Sequence, residues 1–288
     1  MREKYICCFG EAIWDDFSPA HTPGGRQIGL AVGLQNLGFP AVMITCVGND
    51  ELGQKIKDFL QSKNCTTRAI QTDLRYGTGI VRTRISPSGE RYSEMVQPAA
   101  WDNIKYLPPV ANLVKSAYAF VFNTLSCRQK NNLDTLLQLL AEAPLKVYDV
   151  NLSPYYYNQS LVDLLLNKAD IVKINDAELK VIADWHRLGS LTENEQLQML
   201  YKKFNLKKII LTKETSGVTC LDDGVFYYSK GYKPQGQGST PGNDIFLAGF
   251  LTNLYLKQPT GKALQFACAL DSITTTYQPA NKLAFQAE

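Results

Sequence analysis

Apolar residues along this chain fall into short unbroken runs, separated by longer stretches in which they recur at helical spacing. The run "YICCFG", Tyr5 to Gly10, predicts a buried strand that ends in glycine. "GLAVGLQNLG" predicts a helix over 29–38, with Gly38 placed for a C-cap. "AVMITCVG" is a second apolar run and "ELGQKIKDFLQSKN" a second amphipathic stretch. The rhythm returns as "AFVFNTL" before "NNLDTLLQLLAEA", "LKVYDVN" before "SLVDLLLNKA", and "IVKIN" before "DAELKVIADW". "KKIILTKE" leads into the hairpin-like "SGVTCLDDGVFYYSKG", and "IFLAGFLTNLYLK" and "TGKALQFACALDSITTTYQ" predict two packed helices at the end. Apolar strands alternating with amphipathic helices predict a mostly parallel sheet covered on both faces.

One region departs from this rhythm. From Thr78 to Met95, "TGIVRTRISPSGERYSEM" alternates polar and apolar residues around a Pro-Ser-Gly turn, the pattern of a hairpin with one wet face. Segments at approximately 14–28 and 78–98 are expected to form a small projecting sheet, shaped like a lid, on a single domain spanning residues 1–288. Internal repeats, low-complexity stretches and linkers are absent from the sequence.

Composition changes this picture little. The 288 residues suffice for one large α/β domain, and 45% hydrophobic with 20% charged residues is ordinary for a globular chain. A formal net charge of +3 with scattered basic residues gives no nucleic-acid footprint; the densest runs, "KYLPPVANLVK" and "YKKFNLKK", read as solvated helix ends. Seven cysteines without framework or C-x-x-C spacing read as free thiols in a reducing compartment, hence a cytoplasmic protein. Nothing beside His21 and His186 has zinc-ligand spacing, and no stretch reaches membrane-spanning length.

The candidate chemistry centres on "GQGSTPGNDIFLAGFL", Gly236 to Leu251. A loop of small residues entering a helix offers backbone N–H groups at the positive end of the helix dipole, suited to phosphate or a developing oxyanion. A carboxylate in the first helical turn is also a routine start signal, so the local pattern leaves Asp244 open between capping and catalysis. There is no G-x-x-x-x-G-K-[ST], and no G-x-G-x-x-G follows the first strand, which speaks against a Walker loop and a Rossmann-type oxidoreductase. By themselves, Asn175 and Glu178 read as an N-cap and its capping-box partner, and Asp15 as a turn residue.

Joint order and spacing say more. "GEAIWDDF", "TPGGRQIGLAVGLQNLG", "VGNDELG", "VQPAAWDNI", "YDVNLSPYYYN", "ADIVKINDAEL" and "GSTPGNDIFLAGFL" follow one another across nearly the whole chain. In that order they resemble the ribokinase-like (PfkB) family of carbohydrate kinases, and within it the fructokinase-like members. The resemblance implies a ribokinase-like three-layer α/β/α sandwich with a mostly parallel central sheet and a small β lid. It implies ATP-dependent phosphorylation of a sugar hydroxyl, with ATP and Mg²⁺ required. Asp244 matches the family's base, and the amides around Gly242 and Asn243 its anion hole. Asp15, Gly24, Gly25 and Asn151 match sugar-binding positions, and Thr212, Gly217 and Lys173 nucleotide-side positions. Asn175 and Glu178 match the N-x-x-E motif that organises Mg²⁺ and its waters. A homodimer through the lid is a further implication; nucleic acid and membrane are not expected partners.

Several positions depart from the family pattern. "GSTPGND" stands for D-T-x-G-A-G-D, so Gly238, Pro241 and Asn243 replace an Asp and two glycines, and a K⁺ site is not expected. Gly29 stands where a sugar-binding Asn is usual, Ser153 where fructokinase-like members carry Arg, and Glu214 at the first Gly of T-x-G-x-x-G. The late helices lack the small-residue run expected beside adenine. These changes would suit a degenerate member that binds sugar or nucleotide as a sensor or scaffold. Retention of Asp244, Asn175 and Glu178 together favours the active kinase.

Overall fold

The computed structural model describes residues 4–15, 22–85, 91–213, 216–231 and 243–277. Strand β1 (Ile6–Phe9) is buried throughout, with Ile6 and Cys8 in one hydrophobic cluster and Cys7 and Phe9 in the other. The chain then leaves this sheet for β2 (Ile13–Asp15) and β3 (Thr22–Gly24) before α1 (Arg26–Asn36). Helix α1 starts three residues before the expected 29–38, and Arg26 to Ile28 therefore belong to it and not to the small sheet. The reason is a cap from outside the local sequence: Glu11 Oε1 accepts from the Arg26 backbone N–H at 2.9 Å. At the other end Gly38, at φ 72°, takes the left-handed position expected of it.

Strand β4 (Ala41–Gly48) and helix α2 (Glu51–Ser62) precede β5 (Ile70–Asp73). β6 (Gly79–Ile85) and β7 (Arg91–Met95) follow, and then α3 (Pro108–Ser116). The second half repeats one unit: β8 (Ala119–Asn123), α4 (Lys130–Glu142), β9 (Lys146–Asp149), α5 (Gln159–Leu166), β10 (Ile171–Asn175) and α6 (Asp176–Trp185). α7 (Glu193–Lys203) leads to β11 (Lys208–Lys213), β12 (Gly217–Asp222) and β13 (Val225–Ser229), and α8 (Asn243–Tyr255) and α9 (Thr260–Tyr277) close the described chain.

The main sheet has nine strands in the order β13-β12-β11-β10-β9-β8-β1-β4-β5. It is parallel from β11 to β5, and antiparallel where β12 and β13 join the edge. α1, α2, α8 and α9 supply the cluster on one face, while α3 to α7 supply the other. Three layers result, because strands buried on both sides need helices on both sides. β1 lies at the point where chain order reverses, β4 and β5 continuing to one side and β8 to β11 to the other. Loops leaving the carboxyl ends of strands diverge at such a point and open a crevice.

β3-β2-β6-β7 form a separate sheet of four strands, with β2 and β6 parallel and the other pairs antiparallel. Its root is tied to the main body by Asp50, which caps α2 through the Gly53 N–H at 2.8 Å. The same carboxylate accepts from the Thr78 backbone N–H at 2.7 Å and from its hydroxyl at 2.6 Å.

Candidate active site

The crevice gathers its polar groups from segments far apart in sequence. Glu11 follows β1 and is 1% exposed. Besides the Arg26 N–H, it accepts from Asn123 Nδ2 at 3.0 Å and from Ser126 Oγ at 3.2 Å. Burial pushes its pKa up, with the Asn123 hydrogen bond opposing. Gly25 sits against it at φ 110°, and a Cβ there would stand 2.8 Å from the Glu11 carbonyl oxygen. Only glycine serves at that junction.

Asp149 at the end of β9 and Lys173 in the middle of β10 are paired across the sheet and form a fully buried pair, Lys173 Nζ donating to Asp149 Oδ1 at 2.8 Å. Arg26 joins them from the start of α1, with Nη1 at 3.4 Å from both Asp149 oxygens. Burial works against the ionised Asp149, yet Lys173 and Arg26 outweigh it and hold the carboxyl below the usual carboxylate range. Asn151, two residues beyond, is nearly buried and occupies the left-handed region at φ 52°.

Asp244 lies in the first turn of α8, and its carboxyl packs on Gly29 of α1. A Cβ at Gly29 would stand 3.2 Å from the Asp244 Cβ and would collide with Oδ2. Burial pushes the Asp244 carboxyl up to about 7; Arg26 and Lys173 pull against this, and Asp149 and Glu11 add to it. A carboxylate so poised changes protonation near neutral pH, the property a general base needs.

Asn175 and Glu178 adopt the capping box read from their spacing: Asn175 Oδ1 accepts from Glu178 N–H at 2.8 Å, and Glu178 Oε2 from Asn175 N–H at 2.9 Å. The remaining Glu178 oxygen accepts from the Leu152 N–H at 3.2 Å, which leads the β9 loop to α6. No group of three or more His, Cys, Asp or Glu side chains forms a metal cluster among the described residues. The donor set suits Mg²⁺, which keeps most of its waters and takes one or two protein oxygens besides phosphate. Each Glu178 oxygen, already oriented by one backbone donor, retains a lone pair for such a water.

Thr212 lies one residue before the end of β11, its hydroxyl 3.4 Å from the Ile174 carbonyl oxygen. Gly217 opens β12 at φ 100°, where a Cβ would collide with the Ser229 carbonyl oxygen. Lys173, grouped on the sequence with these nucleotide-side residues, commits its ammonium to Asp149; an influence on nucleotide would pass through that carboxylate. Gly24 lies in β3 opposite Ile13, and Asp15 opposite Thr22. Asn243 begins α8, whereas Gly242, Pro241, Gly238 and Glu214 lie outside the described residues.

Comparison with known proteins now bears on this crevice. The family described as pfkB family carbohydrate kinase matches residues 2–284. The chain belongs to that family. It is 25% identical over 311 residues to Probable fructokinase-7 of Arabidopsis thaliana, covering 95% of this chain and 88% of that protein. To the Ribokinase of Haemophilus influenzae it is 22% identical over 264 residues, covering 88% and 81%. It matches only 38% of the longer Fructokinase-like 2, chloroplastic, of Arabidopsis thaliana, at 25% identity over 76% of this chain. The fold is that of Fructokinase with bound ATP from Xylella fastidiosa, at TM-score 0.82 and 20% identity over 96% of this chain and 94% of that one. Fructokinase from Vibrio cholerae O395 in its fructose, ADP and calcium ion bound form gives TM-score 0.80 at 19% identity, covering 99% and 97%.

The expected ribokinase-like sandwich is therefore the fold of this PfkB carbohydrate kinase. What sequence reasoning missed is the charged cluster beneath Asp244. Glu11, Arg26 and Asp149 each sit inside a segment quoted for the resemblance, beside Gly10, Gly25 and Asn151, but no spacing along the chain joins them. Their one local signal was a charge set directly at the end of an apolar strand or against the diglycine.

Proposed function

We propose that this kinase transfers the γ-phosphoryl group of ATP to a hydroxyl of a fructose-like sugar, with Asp244 as the base. The observation that carries the reading is the Asp244 carboxyl itself: poised near neutrality, in the first turn of α8, against the diglycine-led helix at the switch-point crevice. Asp15, Gly24, Gly25 and Asn151 would hold the acceptor sugar. As the acceptor oxygen bonds to phosphorus and the bond to the ADP oxygen breaks, the hydroxyl proton passes to an Asp244 oxygen. Phosphoryl transfer asks for positioning and charge stabilisation more than covalent chemistry, and the first-turn amides at Asn243 and Asp244, with Gly242, would face the equatorial charge. Thr212 and Gly217 would meet the nucleotide, with Lys173 acting through Asp149. Asn175 and Glu178 would hold the waters of Mg²⁺, which when bound neutralises phosphate charge. The sheet β3-β2-β6-β7 would act as the lid that excludes water as a competing acceptor, and as the surface for pairing two copies.

An ADP-release assay with MgATP against a panel of free sugars and nucleosides, beside Asp244→Asn, tests this. Turnover that depends on a ketose and falls by about 10²- to 10⁴-fold in the variant is the expected result. Binding of ATP or sugar without turnover for any acceptor would replace the kinase with a sensor or scaffold.

A further inference from the structure

The first turn of α1 carries two features on one side, three residues apart, that the reaction above does not use. Arg26 reaches Asp149 only at 3.4 Å and through Nη1 alone, leaving Nε and Nη2 without a hydrogen-bond partner among the described residues. Its side chain is 26% exposed against 3% for Asp149, so the guanidinium lies at the crevice side of the buried Asp149–Lys173 pair. One turn on, Gly29 leaves a notch in the helix surface, and the Asp244 carboxyl fills it. The charged groups around Asp244 are Arg26 on α1, Glu11 after β1, Asp149 at the end of β9 and Lys173 on β10. Lys173 is fully buried and hydrogen-bonded to Asp149, and it too favours the ionised Asp244. Arg26 is the more exposed of the two cations and the one that acts more strongly on Asp244, and Asp244 is among the carboxylates that hold it protonated.

We propose that Arg26 is a positioning residue for the base: anchored on Asp149, it supplies across the Gly29 notch the positive charge that keeps the Asp244 carboxylate ionised and turned toward α1. A carboxylate packed among Glu11 and Asp149 in a half-buried crevice is favoured in its charged form by a neighbouring cation. The notch is what lets the two groups approach, since any side chain at 29 would displace the carboxyl from the helix. This role rests on Asp244 being the base, but its physical content, a charge pair between α1 and α8, is measurable without turnover.

The experiment is a ¹³C NMR titration of protein labelled at the aspartate carboxyl carbons, with Asp244→Asn identifying the resonance. In the unaltered chain Asp244 titrates at about 7. Arg26→Gln moves that midpoint up by about one unit or more, and Arg26→Lys, which keeps the charge, by clearly less. Gly29→Ala, a substitution favourable to an α-helix, also moves it, because the methyl group fills the notch while Arg26 remains. Where turnover is measurable, the acid limb of kcat/KM shifts by the same amount in each variant. That is about a tenfold loss per unit below both midpoints, with the KM for ATP little changed. An Asp244 midpoint unchanged in Arg26→Gln overturns the proposal; should that variant not fold, unchanged midpoints in both Arg26→Lys and Gly29→Ala overturn it. A shifted midpoint in a chain that phosphorylates no acceptor would sink the kinase reading and leave the pair standing. Turnover with an unmoved midpoint would do the reverse.

Discussion

At Asp244 the burial that would poise a base also weakens the fold. The carboxyl titrates near 3.8 when unfolded and at about 7 when folded. Between those values the folded chain binds a proton that the unfolded chain does not, so stability falls as pH rises through that window, and the full cost is present above 7. Two outcomes follow. With Asp244 as the proposed base, the rate of phosphoryl transfer is expected to rise with pH through about 7, because only an ionised carboxylate accepts a proton; a pH profile of kcat/KM measures it. Asp244→Asn, which removes the proposed base, is expected to be more resistant to urea at pH 8 by on the order of 2 kcal/mol, allowing for partial exposure, and the difference to shrink toward pH 4. A variant that gains stability as it loses function is the usual relation at a functional site.

Among the elements, α2 and the small sheet are joined through one exposed side chain. Asp50 serves as N-cap and as anchor for Thr78 at the root of β6. Its slight burial disfavours ionisation, but the Thr78 and Gly53 hydrogen bonds prevail and lower its pKa below 3.8. The contribution to stability is therefore present above that pH and lost as pH falls through the lower folded value. Asp50→Ala is expected to cost about 1 kcal/mol as a lost cap, and to speed amide exchange in the adjoining residues of β6. Urea midpoints and hydrogen exchange read the two effects separately. Much at this scale was legible along the chain. The run of "ICCF" could only be a two-faced strand, Gly38 ended α1, and Asn175 with Glu178 opened α6 as spacing alone suggests. The start of α1 was not legible, because its cap comes from Glu11, fifteen residues upstream and in another element.

Across the whole molecule, all seven cysteines are free and buried. Burial pushes the Cys7, Cys46, Cys65 and Cys220 thiols each up to about 12, so the reactive thiolate is scarce in the folded state. A thiol reagent at pH 8 is expected to label none of the seven within minutes in native buffer and all of them in urea, with labelling kinetics that report opening of the core. Rapid native labelling of even one thiol would show that its part of the core opens independently.

The order of strands and helices, the two apolar faces and the residue types available for phosphoryl transfer were set by the linear pattern, because periodicity and local turn chemistry act over a few residues. The order β8-β1-β4, which places the crevice, required the sheet to assemble. So did the meeting of Glu11, Arg26, Asp149, Lys173 and Asp244, which come from five separate segments. Charge and burial act through space, and only the tertiary structure brings those five groups close enough to move one carboxyl toward neutrality.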